Sequence, residues 1–131
     1  MNKEKKELLI KDLSARLLYK VICTDSRHGD SIITEIDIID ETVYCDDFDE
    51  YVGLEHCKPY LRPMSSMTEE ERSELRKFCR KEEGILYDIG ISGVINAPAI
   101  IDYLNARHFD FRGLIPMGLA LAAPEGMYKT K

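Results

Sequence analysis

At 131 residues, with 44% hydrophobic and 32% charged residues, the chain is long enough to bury one core and too apolar to remain disordered. Eighteen basic against twenty-four acidic residues give a net charge of −6, which repels a phosphate backbone at long range and makes nucleic acid an unfavoured partner. The charged opening, Met1 to Glu7, lacks the apolar stretch of a signal peptide, and no apolar run reaches the ~18 residues that would span a bilayer.

These totals predict a single cytoplasmic domain over residues 1–131 with no membrane partner. Cys23, Cys45, Cys57 and Cys79 are well separated, and in a reducing compartment they stay thiols that act as small buried hydrophobes.

Residues 2 to 17 read as an amphipathic helix capped by Asn2, with Leu9, Leu13 and Leu17 recurring every four positions beside Ile10. The period then changes to two. Tyr19, Val21 and Cys23 share one face of a strand, and the turn-rich Asp25 to Asp30 closes a hairpin. The return strand, Ser31 to Ile39, sets Ile32, Thr34, Ile36 and Ile38 against Ile33, Glu35, Asp37 and Ile39. Thr42 to Cys45 reads as a third strand and Glu50 to His56 as a fourth. Pro59 and Pro63 then remove backbone donors, so Lys58 to Pro63 is expected to leave the sheet as a connector.

Thr68 followed by Glu71 is a capping box that opens a second helix, which runs towards Gly84 with Leu75, Phe78 and Cys79 on a narrow apolar face. Arg72, Arg76, Lys77, Arg80 and Lys81 follow three glutamates there, the arrangement that suits the helix dipole and local ion pairs. The glycine-punctuated Gly84 to Ile95 reads as a short strand or a packed loop. Asn96 and Pro98 start a third helix, with Ala97, Ile100, Ile101, Leu104 and His108 on one face. In the tail only Gly118 to Ala123 has a regular pattern. The expected fold is α+β: a small antiparallel meander or SH3-like barrel of three to four strands, with an N-terminal helix and two C-terminal helices.

No catalytic signature emerges. Gly84, Gly90 and Gly93 lack the spacing of a dinucleotide fingerprint, and Val94 stands where a nucleophile elbow at Ser92 needs glycine. Cys45, His56, Cys57 and Cys79 contain no pair at the spacing that presents two ligands from one turn, and the acidic Asp46 to Glu50 lacks the glycine and distant glutamate of a calcium loop. No metal and no cofactor is expected. The polar group that remains is Arg107, His108, Asp110 and Arg112, which read either as a helix end with a local Asp110–Arg112 pair or, with Tyr60 and Arg62 of the connector, as a binding site.

Two stretches, Lys58 to Arg72 and Asp102 to Tyr128, together with Lys11 to Leu17, resemble a group of uncharacterised small proteins of gut Bacteroidales and their phages or other mobile elements. The resemblance covers about half the chain and brings no assigned activity. Members of that group often carry tryptophan where Tyr103 stands and histidine where Arg107 stands, so a paired-histidine role does not transfer to this chain.

The leading expectation is a non-enzymatic protein-interaction module with a protein partner. Its rivals are a small enzyme or ligand-binding protein built around His108, Asp110, Arg112 and Arg62, and a nucleic-acid accessory protein using the basic end of the second helix.

Overall fold

In the computed structural model, which describes residues 1–78 and 97–128, the leucine stripe of the opening segment forms helix α1 (Lys3–Arg16). Asn2 caps it as expected, its Oδ1 accepting a 2.8 Å bond from the Lys5 amide, and Leu9 and Leu13 are fully buried. A single 3-10 turn, Leu17–Tyr19, follows and ends at Lys20 in the left-handed region (φ 62).

Among the described residues six strands form one open sheet in the order β4-β3-β2-β1-β5-β6. They are β1 (Ile22–Asp25), β2 (Gly29–Asp37), β3 (Thr42–Cys45), β4 (Val52–Gly53), β5 (Lys58–Leu61) and β6 (Leu121–Ala122). All neighbours are antiparallel except β5 and β6, which run parallel. The fold is therefore α+β with an N-terminal helix, and the sheet has two free ends and more strands than the three or four expected.

The strands differ locally from those expected. In β2, Ile33 faces Cys45 while Glu35 faces Tyr44, so two steps on one strand oppose one step on the other. This bulge changes parity: Ser31 and Ile33 are buried before it, and Ile36 packs on the core after it. Ile38 and Ile39, expected within the strand, lie in the turn beyond it. The fourth strand shortens to Val52–Gly53 because the chain winds into a 3-10 turn, Leu54–His56, that buries Leu54.

A further difference is a correction. Lys58 to Leu61 does not leave the sheet but forms β5, between β1 and β6. A proline removes one donor from the ladder and keeps its carbonyl and its apolar ring. Pro59 is accommodated opposite Cys23 in a pairing of two residues and is buried there. Pro63 is the residue that ends the strand, followed by a 3-10 turn over Met64–Ser66.

The capping box forms as the sequence predicts. Thr68 Oγ1 accepts from the Glu71 amide at 3.1 Å while Glu71 Oε1 accepts from the Thr68 amide at 2.9 Å, opening α2 (Glu69–Arg76). Thr68→Ala is expected to destabilise the fold by about 1 kcal/mol and Thr68→Ser by about 0.3 kcal/mol, read from thermal melts. The readings placed on Cys79, Arg80, Lys81 and the segment from Gly84 to Asn96 lie outside the described residues. Helix α3 (Ala97–Ala106) follows.

The larger core lies between α1 and the sheet, and a smaller one gathers Met67, Leu104 and Phe109. Cys23, Cys45 and Cys57 are free thiols inside the larger core, with the Cys23 and Cys45 sulfurs 3.2 Å apart. The hydrogen bond with the Cys23 thiol, and secondarily burial, hold Cys45 well above the ordinary thiol range, so it is a poor nucleophile. No helix among the described residues is long and apolar enough to cross a membrane.

Candidate functional site

The segment from Arg107 to Arg112 is fixed between α1, α2 and β5 by two carboxylates, each of which holds two arginines. On one side Asp12 accepts from Arg16 Nε at 2.9 Å, Arg16 Nη2 at 3.1 Å and Arg112 Nη1 at 2.6 Å, with the Asp12 and Arg16 side chains wholly buried. On the other, Glu71 accepts from Arg62 at 2.7 and 2.8 Å and lies 3.8 Å from Arg107. The Arg62 hydrogen bonds hold the Glu71 carboxyl down to about 2, against the desolvation that would raise it.

Phe109 lies between the two groups. Its ring is 4.2 Å beneath the Arg62 guanidinium, and its carbonyl accepts from Arg16. The Arg62 amide donates to the His108 carbonyl at 2.7 Å and the Asp110 amide to the Arg62 carbonyl at 2.8 Å, so the backbone of this segment extends the sheet at β5.

The expected site residues thus come together along the backbone, while their side chains diverge. Asp110 does not pair with Arg112. Its carboxylate accepts from the Leu114 and Ile115 amides at 2.7 and 2.9 Å, and Arg112 reaches across to Asp12. Arg107 turns to Glu74 and lies over the Tyr103 ring. Burial and the hydrogen bond to Glu74 push that phenol up to about 12. The Tyr60 hydroxyl meets Asp30 at 3.2 Å, at the far side of β1.

His108, 4% exposed and held at φ 64, stacks on Tyr128 with ring centroids 3.9 Å apart. Burial, and secondarily the positive charge of Arg16, pushes its imidazole down to about 4, and its Nδ1 has no partner among the described residues.

A groove of about 800 Å³ opens beside this segment, walled by Arg62, Pro63, Ser66 and Thr68 on one side and by Ala122 to Gly126 and Tyr128 on the other. That volume is within the range of ligand clefts, roughly 300–1,000 Å³. Its origin is legible in the register. β5 and β6 run parallel with Leu61 opposite Ala122, and each strand meets a proline two residues later, at Pro63 and Pro124. Neither proline has an amide to continue the ladder, so the chains part and a cleft opens beyond the carboxyl ends of the pair. Tyr128 fixes the far wall: its hydroxyl accepts from the Ile22 amide at 2.8 Å and donates to the Tyr60 carbonyl at 2.9 Å. Burial holds that phenol well above its ordinary range. Of the six expected site residues, Arg62 alone lines the groove.

Two features escaped the sequence reading. Tyr128, a lone aromatic in a glycine-rich tail, gave no periodic signal. The pair Asp25 and His28 sits three residues apart in a turn, and the structure brings the carboxylate within 2.6 Å of His28 Nδ1, with Glu50 at 3.4 Å from Nε2. A buried carboxylate on an imidazole is the geometry of an activated base, but here the outer nitrogen faces a second carboxylate and no nucleophile, and the ring stacks on Phe48. It braces the β1–β2 hairpin against the connection from β3 to β4. Cys45 and Cys57 are buried while His56 is exposed, and no group of three metal-binding side chains is found among the described residues.

No family model, curated protein or solved structure matches this chain.

Proposed function

We propose that this chain is a non-enzymatic protein-interaction module that receives an extended segment of a partner protein in the groove between Arg62–Thr68 and Ala122–Tyr128. The observation that carries this reading is the position of the groove beside β6, the last strand of the sheet among the described residues, whose two residues are both exposed. An extended segment laid there, where β5 and β6 part, meets an apolar wall of Pro63, Ala122, Ala123, Pro124 and Tyr128.

The polar groups of the groove favour binding over chemistry. Arg62 is committed to Glu71 and to the Ser66 carbonyl, the Ser66 hydroxyl donates to Pro63, and the Thr68 hydroxyl caps α2. Catalysis by proton transfer needs a titratable group held within reach of the reacting atom, and the groove's carboxylate, Glu125, is exposed to solvent. His108 is buried against the Tyr128 ring and does not line the groove.

The test is selection of peptides from a displayed random library on the immobilised protein, followed by amide mapping with a selected peptide. Shifts are expected at Ser66, Thr68, Ala122 and Gly126, and Ala122→Trp should weaken binding at least about tenfold by filling the cleft, with unchanged circular dichroism. Peptides whose shifts fall elsewhere, or that bind Ala122→Trp equally well, would count against the groove.

A further inference from the structure

Turns between strands are ordinarily built from glycine, asparagine, aspartate and serine. The β2–β3 turn instead presents Ile38 and Ile39, 65% and 92% exposed. A single exposed aliphatic residue is commonplace. Two adjacent ones at the apex of a hairpin form a projecting apolar knob, and this one is held in a fixed shape. Asp37 Oδ1 accepts from the Asp40 amide at 3.0 Å across the turn, and Glu41 takes a left-handed conformation (φ 58). The Glu41 carbonyl accepts from the Leu54 amide at 3.1 Å, and its carboxylate pairs with Lys6 of α1 at 2.9 Å. A knob anchored to two other elements loses little conformational freedom when it is bound.

Carboxylates flank it in the chain. Asp37 and Asp40 flank the isoleucines directly in the chain, Glu41 beyond them is taken by Lys6, and Glu35 stands further down β2, held by the Tyr51 hydroxyl. We propose that Ile38–Ile39 is a docking element for a protein whose surface offers an apolar pocket ringed by lysine or arginine side chains. Charge complementarity selects that occupant. A second copy would bring the same carboxylates, and a net charge of −6, against the first. An anionic bilayer would meet them with headgroups of the same sign. The inference is independent of the groove, which belongs to the opposite end of the strand order, so either can fail alone.

The test places a benzophenone amino acid at position 39 of the full chain and irradiates it in a lysate of the cells that make the protein, with the same group at Leu18, 83% exposed, as the control. The captured protein is then purified and titrated calorimetrically. An adduct specific to position 39 is expected. Ile38→Asp with Ile39→Asp should weaken the purified complex at least about thirtyfold, Leu18→Asp less than about twofold, with thermal melts unchanged. Raising salt from about 50 to about 500 mM should weaken it at least about fivefold.

The proposal is overturned by an adduct with a second copy or with lipid, by the absence of any adduct, or by a complex indifferent to the isoleucine substitutions or to salt. Ala122→Trp should leave this complex unchanged, which separates its failure from that of the groove.

Discussion

Asp12→Ala is expected to destabilise the fold by about 3–5 kcal/mol, more than any other single polar substitution in the molecule. Asp12 is the shared acceptor for Arg16 and Arg112, and both Asp12 and Arg16 are wholly removed from solvent. Truncating the carboxylate leaves a guanidinium inside the protein with its counter-charge gone and one of its nitrogens, Nη1, already without a partner among the described residues. The cost is the desolvation of the surviving charge rather than the strength of the lost bond. Against a total stability of roughly 5–15 kcal/mol it should lower the thermal midpoint by roughly 10–20 °C.

The companion variant separates these two terms. Asp12→Leu with Arg16→Met removes both buried charges together and leaves Arg112, partly exposed, with Asn105. It should be less destabilised than Asp12→Ala alone, although it changes two residues. An Asp12→Ala cost below about 1 kcal/mol in urea melts would mean that the pair is hydrated in solution and that α1 is held by its leucines alone.

Much of the local structure was legible because it is set by neighbours in sequence. Asn2, the Asp25 to Asp30 turn and the Thr68–Glu71 box each act over three or four residues, and each forms as read. The buried Asp12 and Arg16 were also within reach. Leu9, Asp12, Leu13 and Arg16 are spaced three, four and seven residues from the first, so one helical stripe carries all four. The presumption that charged residues face water concealed it, and what overrides that presumption is Arg112, a hundred residues away.

What could not be read was the pairing. The β2 bulge depends on β3, and the presence of Pro59 in a strand depends on β1 needing only two residues of partner. The parallel return of β6 depends on contacts sixty residues distant. The same holds for the candidate site. Arg62, His108 and Asp110 were recognised as a cluster, yet the groove arises from the coincidence of two prolines in register, which exists only once β5 and β6 are aligned.

The polar interior also fixes how the protein should respond to acid. His108 is neutral in the folded state with a pKa near 4, against 6.5 for the free imidazole. The cause is burial first, then the charges of Arg16 and Arg62, opposed by a hydrogen bond to the Tyr19 backbone and by Asp12. Between pH 6.5 and 4 the unfolded chain binds a proton at this residue that the folded chain refuses, so stability is full above pH 6.5 and is lost as pH falls through that window. The slope is about 1.4 kcal/mol per pH unit at most, and the loss about 3 kcal/mol when complete.

Glu71 continues the loss at lower pH. Its carboxyl is held at about 2 by Arg62 against 4.5 in the unfolded chain, so its stabilisation is present above pH 4.5 and disappears as pH falls towards 2. The two groups act in succession, and each is a large part of the roughly 5–15 kcal/mol that stabilises a domain. Stability should therefore fall without a plateau from pH 6.5 towards pH 2. His108→Phe, which keeps an aromatic ring against Tyr128, should flatten the stability profile between pH 6.5 and 4 while leaving the Glu71 portion in place. Urea melts at pH 7, 5.5 and 4.5 measure this directly. A wild-type stability that is equal at pH 7 and pH 4.5 would show that the imidazole meets solvent, and with it that the Tyr128 wall of the groove is open in the resting protein.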